Sequence, residues 1–401
     1  MKKLKIYNGQ IITPFRIIPN GTVLVVGDKI AAVTEGEMDI GDAEELDAKN
    51  CFISPGFIDL HVHGGGGYDF MDGDGDGFLK IAELHARYGT TAMVPTTLTS
   101  EKAQLLDTLQ RYEEAHQKNR NGAQFLGLHL EGPYFAMNQR GAQDSKYIRD
   151  PDPEEYKEIL LRSDLIARWS AAPERKGAME FGRYLKEKGV LAAIAHSDAI
   201  YEDVLEAVEN GYTLSTHLYS GMSGVTRKNA FRYAGVIESS LLLDELDVEI
   251  IADGVHLPAP LLKLVYKVKG PHKIALITDA MRAAGMPAGE SILGNRHTGL
   301  KVIVEDEVAK LPDRSSFAGS VATADRLVRT MVNLAEVPLR EAILMMSSTP
   351  ARIMGVDAKK GTLTPGKDAD IVLFDRRIQI QHTIIGGRTI FSKSKVDRGI
   401  G

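Results

Sequence analysis

Apolar residues recur along this chain in two rhythms. From residue 1 to about residue 50 the runs are short: KLKIYNG, GTVLVVGD and KIAAVTEG are β-rich stretches punctuated by Asn-Gly and Gly-Asp turns. The last forty residues read the same way, with ADIVLFD and HTIIGGRTIFS after the turn-rich GTLTPGKD. The pattern predicts a small β-sandwich domain built from both termini, residues 1–53 and 356–401. Between them, apolar runs alternate with helical stretches such as GFLKIAELHARYG and YEDVLEAVENG. Eight runs read as strands: CFISPGFIDLHVH, TTAMVPTT, QFLGLHLEGP, ARWSAAPE, VLAAIAHSD, YTLSTHLYS, VEIIADGVH and KIALITDA. Apolar strands each followed by a helix suit a parallel sheet buried on both faces, and eight such units predict an α/β fold with a TIM (β/α)8 barrel over residues 54–355. KVIVEDEVAKL breaks the rhythm after the eighth strand and reads as an inserted hairpin.

Polar residues interrupt these strands at one end. His61 and His63 close the first, Glu131 the third, His196 the fifth, His217 the sixth, His256 the seventh and Asp279 the eighth. In a TIM barrel the carboxyl ends of all strands meet at one mouth. Imidazole and carboxylate are the usual non-thiolate ligands of a catalytic divalent ion, and two histidines two apart on a strand face the same way. His129, two residues before Glu131, is left open between a supporting and a structural role. His85, His116, His272, His297 and His382 read as packed or surface residues.

Bulk properties narrow the field. With 43% hydrophobic and 25% charged residues, the 401-residue chain can build an ample core. A net charge of −6 without a basic block argues against a nucleic-acid partner. One cysteine, Cys51, excludes an internal disulfide framework. No run approaches a membrane span and the first residues lack an apolar leader, so a cytoplasmic protein is expected.

One stretch pulls elsewhere. DGDGDGFLKIAE, residues 72–83, matches a calcium loop, with Asp72, Asp74 and Asp76 at its first, third and fifth positions and Glu83 at its twelfth. A calcium loop needs a helix on both sides. Here four glycines and the end of a strand come before it, so the aspartates read as turn and helix-entry residues.

PGFIDLHVHGGGG, HLEGPYF, AHSDA, THLYSGM, ADGVH and TDA, in this order, resemble the motifs of the amidohydrolase superfamily, and within it those of the N-acetylglucosamine-6-phosphate deacetylases. The likeness runs over nearly the whole chain, including GTLTPGKDADIVLFD. It implies metal-dependent removal of the N-acetyl group from a hexosamine 6-phosphate by a homodimer. It also implies one or two divalent ions, zinc first, with iron, manganese and cobalt as alternatives. By resemblance, Glu131, His196 and His217 ligate the metal common to the family, and His61 and His63 serve a second ion bridged by Glu131. Asp279 is then the proton carrier at the metal, and His256 orients substrate. The likeness further places substrate contacts at Ala142 in RGAQ and at Phe317, Ala318 and Gly319 in FAGS. It makes Arg227, with Lys228 beside it, the phosphate clamp. Ser220-Gly221 stand where the family usually has Asn-Ala, at the phosphate side. That departure keeps three other substrates open: the N-acetylgalactosamine 6-phosphate epimer, a cyclic amide and an N-acyl amino acid.

Overall fold

The computed structural model describes residues 1–393; residues 394–401, the end of the expected terminal domain, lie outside the described residues. Eight parallel strands form the barrel: β1 (Phe57–Val62), β2 (Thr90–Pro95), β3 (Leu128–Glu131), β4 (Ile166–Ala171), β5 (Leu191–Ile194), β6 (Tyr212–Ser215), β7 (Asp247–Ile251) and β8 (Ile274–Ile277). Helices α1 (Gly75–Arg87), α2 (Lys102–Lys118), α3 (Pro153–Arg162), α4 (Ala178–Glu187), α5 (Tyr201–Glu209), α6 (Val236–Leu242), α7 (Ala259–Lys269) and α8 (Ala324–Asn333) follow them in turn. Strands β3 to β8 pair in sequence, and β1 pairs with β2. Parallel bridges Thr96↔His129 and Val62↔Ala280 join the two sheets, so the ring closes. At the β1–β8 seam the Asp279 amide donates to His61 O (2.9 Å), and Thr278 donates through its hydroxyl to Asp59 (2.6 Å). The strands are buried along nearly their whole length, as their continuous apolar runs require.

The first predicted run splits into two elements. Phe52–Pro55 pairs with the N-terminal strand Lys3–Ile12 and with Ile371–Phe374, and only after Gly56 does β1 begin. Strands from both ends therefore share one eight-stranded sheet, folded over a cluster that includes Ile6, Ile11, Val23, Ile53, Ile371 and Leu373. The expected insertion is present. Leu300–Glu305 and Val308–Lys310 pair antiparallel within a four-stranded sheet that also holds Gly289–Leu293 and Phe317–Ser320. This sheet stands between β8 and α8, at the rim of the mouth.

The barrel interior is polar below the mouth. Arg168 forks onto Glu249, with Nη2 donating to Oε2 at 2.8 Å, and also donates to Thr216 (2.7 Å). His129 joins this layer through Ser170 Oγ (2.7 Å), and its ring packs edge-on against that of His61 at 4.8 Å.

Candidate active site

The strand ends bend sharply to turn their side chains inward. His196 (φ +47°), His217 (φ +31°) and Asp279 (φ +47°) all occupy left-handed backbone, a costly conformation for side-chain-bearing residues that clusters at functional sites. Each lies just past the end of its strand, where the ladder no longer dictates direction.

Glu131 is the centre of the arrangement. Its Oε1 lies 2.9 Å from His217 Nε2 and 3.3 Å from His196 Nε2, and its Oε2 lies 3.4 Å from His63 Nε2. On the other side, Asp279 Oδ1 lies 3.1 Å from His63 Nε2 and 3.4 Å from His61 Nε2. Two triads result, Glu131–His196–His217 and His61–His63–Asp279, each with its donor atoms within 4.8 Å of one another and all six residues buried. Ligands bound at about 2.0–2.2 Å in a tetrahedron stand a little over 3 Å apart, so these separations fit a divalent ion in either group.

The tautomers fit too. His196 Nδ1–H donates to Gln139 O (2.7 Å), and His63 Nδ1–H is directed at Thr96 O (3.3 Å), leaving each Nε2 lone pair for the centre. Nδ1 of His61 and of His217 has no hydrogen-bond partner among the described residues; that of His61 faces Glu249 Oε2 at 3.8 Å.

Electrostatics favour a cation. Burial opposes the charge of Glu131, but His61, His196, His217 and His63 outweigh it and hold the carboxyl well below its ordinary range. The same competition keeps Asp279 ionised, with His61 and His63 as the chief neighbours. Burial disfavours the imidazolium of His63, yet Asp279, Glu131 and Asp69 prevail and raise it to about 9. Protons and metal ions compete for such a site.

A cavity of about 250 Å³ opens over this cluster. Ala142, Ser220, Gly221, His256, Phe317 and Gly319 line it. His256 Nδ1–H donates to Asp253 Oδ2 (2.7 Å), so Nε2 remains for the cavity side, and the Phe317 ring packs against the imidazole at 4.6 Å.

Three residues fall elsewhere. Ala318 turns away into the apolar cluster of Met281, Leu293 and Val302, because alternate residues of its strand face opposite sides. Arg227 and Lys228 sit on an exposed hairpin, Thr226–Lys228 against Phe231–Tyr233, reversed at Asn229 (φ +50°) and Ala230 (φ +72°). No lysine or arginine lines the chain's own cavity among the described residues.

The sequence reading missed Gln143, whose Nε2 donates to Glu131 Oε2 (2.8 Å), and Asp253, the partner of His256. The three-residue spacing of Asp253 and His256 in ADGVH was an available signal; Gln143 gave none.

The calcium-like stretch is accounted for. Asp72, its side chain wholly buried, accepts from Arg282 Nη2 (2.7 Å) and Nη1 (2.8 Å), from Arg296 Nη2 (3.0 Å), and from the Arg296 (2.9 Å) and Asp69 (3.1 Å) amides. Five donors use up its acceptor capacity. Asp74 caps α1 by accepting from the Asp76 amide, and Glu83 pairs with Lys80.

A parallel barrel whose mouth gathers four histidines and two carboxylates defines the class of metal-dependent barrel hydrolases. The chain belongs to the amidohydrolase family, whose model matches residues 52–390. It is 37% identical to an N-acetylglucosamine-6-phosphate deacetylase of Lysinibacillus sphaericus, over 86% of this chain and 87% of that protein. It is 36% identical to an N-acetylgalactosamine-6-phosphate deacetylase of Escherichia coli O157:H7, over 86% and 88%. Its fold matches the N-acetyl-D-glucosamine-6-phosphate deacetylase variant of Mycobacterium smegmatis solved with N-acetyl-D-glucosamine 6-phosphate. The TM-score is 0.88, the identity 28%, and the match covers 98% of this chain and 99% of that one.

Proposed function

We infer that the chain hydrolyses the amide of N-acetyl-D-glucosamine 6-phosphate, releasing D-glucosamine 6-phosphate and acetate. The observation that carries this reading is the meeting of both triads under one cavity, in a chain whose relatives over most of its length are deacetylases of this kind. In our reading Glu131, His196 and His217 hold one divalent ion and His61, His63 and Asp279 a second, zinc being our first choice. Such an ion would acidify a bound water and polarise the scissile carbonyl. Asp279, ionised beside the histidines, takes the proton of the attacking water and delivers it to the leaving amine, whose departure as an anion would be prohibitive. His256, held by Asp253, offers Nε2 to the carbonyl oxygen.

The phosphate needs a cation, and no lysine or arginine among the described residues lines this chain's own cavity. We assign that role to Arg227 or Lys228 of a second copy: the hairpin points them outward, and the exposed Val225, Phe231 and Leu242 nearby suit an interface between copies. A homodimer follows from this reading; we divide the chain into a barrel domain that runs from Gly56 to about residue 355 and a terminal β domain built from residues 1–55 and the segment after 355. No helix among the described residues is long and apolar enough to cross a membrane, and we take the cytoplasm as the site of action.

The test is acetate release by metal-analysed protein from N-acetylglucosamine 6-phosphate, its galactosamine epimer and the unphosphorylated sugar. Preference for the first supports the reading. Equal turnover of the unphosphorylated sugar would remove the phosphate clamp, and no turnover of any would remove the reaction.

A further inference from the structure

The segment Ala136–Gln143 crosses the mouth between β3 and α3 and touches two of the candidate ligands from opposite ends. At its start, the Ala136 amide donates to His196 O (2.8 Å), and Gln139 O accepts from His196 Nδ1 (2.7 Å). At its end, Gln143 donates to Glu131 Oε2 (2.8 Å) while its own carbonyl accepts from the Thr99 amide (2.9 Å). The residues between, Gly141 and Ala142, line the cavity. One strap thus sets the ring orientation of His196, the carboxylate plane of Glu131 and part of the substrate wall.

Something must hold the strap down, because most of its middle is exposed. Asp198 does. Its Oδ1 accepts from Gln139 Nε2 (2.7 Å) and its Oδ2 from Asn138 Nδ2 (3.0 Å). Asp198 is itself fixed by Glu174, which accepts from the Asp198 amide (2.6 Å) and from Ser197 Oγ (2.7 Å). The clamp is tight on its far side as well. A Cβ on Gly221 would come within 2.6 Å of His196 Nδ1 and 2.8 Å of Gln139 O, so only glycine lets the Gln139–His196 contact sit against that loop. This gives a physical reason for Gly221, since an alanine there does not fit this backbone; nothing in the structure explains Ser220.

We propose that Asp198 is a positioning residue. Through Asn138 and Gln139 it anchors the strap that orients His196 and Glu131 and presents Ala142 to substrate. It belongs to neither triad and does not line the cavity. The inference rests on the reading of Glu131 and His196 as ligands of one ion. Gln139 O, the direct partner of His196 Nδ1, is the kind of contact that typically governs metal affinity by roughly 10–100-fold, and Asp198 acts one link further out.

The test compares the metal-loaded enzyme with Asp198→Ala and Asp198→Asn, measuring metal retained against a competing chelator alongside kcat and KM. Asp198→Ala is expected to lose roughly 10-fold in metal affinity and to raise KM, with its thermal midpoint near that of the parent because Asp198 is partly exposed. Asp198→Asn, which keeps one acceptor oxygen, is expected to fall between them. Adding Gln139→Ala to Asp198→Ala should cost little more than Asp198→Ala alone, since both cut one link. Parental metal retention and KM in Asp198→Ala would overturn the proposal, as would fully multiplicative losses in the double variant. A parent that binds no metal would instead overturn the ligand reading itself.

Discussion

Asp72 lies past the carboxyl end of β1 and Glu131 closes β3, both carboxylates are buried, and both belong to stretches that read as metal sites. Their neighbours separate them. Asp72 meets the guanidinium groups of Arg282 and Arg296, which never surrender their protons at physiological pH. Glu131 meets imidazoles, which give up protons near neutrality and then offer lone pairs. The first carboxylate is neutralised permanently and holds the structure; the second sits where a metal can replace protons. A motif supplies carboxylates, but the base facing them decides what they do.

The largest break in this comparison is expected from Glu131→Gln. Losing a ligand should exceed the roughly 100-fold cost of losing a ligand's partner, so both metal content and kcat/KM should collapse while the urea midpoint moves little. A variant that kept its metal would put Glu131 in the same class as Asp72. Asp72→Ala is expected to do the reverse. It leaves Arg282 buried without its counter-ion and should cost about 3 kcal/mol in urea denaturation, with deacetylation by the folded fraction close to parental.

A second pair of buried groups sharpens the point. Burial lowers His85 to about 4, with only a contact to Gly64 O opposing it, whereas carboxylates raise His63 to about 9. The folded pKa of His85 lies below its unfolded value of about 6.5. The stability it contributes is therefore full above pH 6.5 and is lost as pH falls toward 4. That slope is on the order of 3 kcal/mol and should be missing from denaturation curves of His85→Gln between pH 7 and 4.5. A slope that survives would assign the acid sensitivity to other groups. The smallest effect is reserved for Asp74→Ala, which removes the cap of α1: about 1 kcal/mol of stability, no loss of turnover, and no calcium-dependent shift in melting before or after the change.

Much of the site was legible because a parallel barrel strand is apolar on both faces, so a histidine or carboxylate at its end stands out. His61, His63, Glu131, His196, His217, His256 and Asp279 were found this way; six of them line one cavity, and His61 lies buried beside His63 and Asp279. Arg227 and Lys228 were legible as cations but not as to where they point, since the turn at Asn229-Ala230 carries them away from their own chain's mouth. The pairing of Asp72 with Arg282 and Arg296, more than two hundred residues on, left no local trace.

The chain by itself determined the strand count, the alternation with helices and the residue types at the strand ends. Those depend on neighbours within a few positions, through periodicity and burial. Only the tertiary structure decided which carboxylate meets imidazole and which meets guanidinium, that Gln143 and Gln139 reach two candidate ligands from one strap, and that no lysine or arginine among the described residues lines the cavity. These are contacts between distant segments, and their geometry is set by how the barrel closes, which no local spacing encodes.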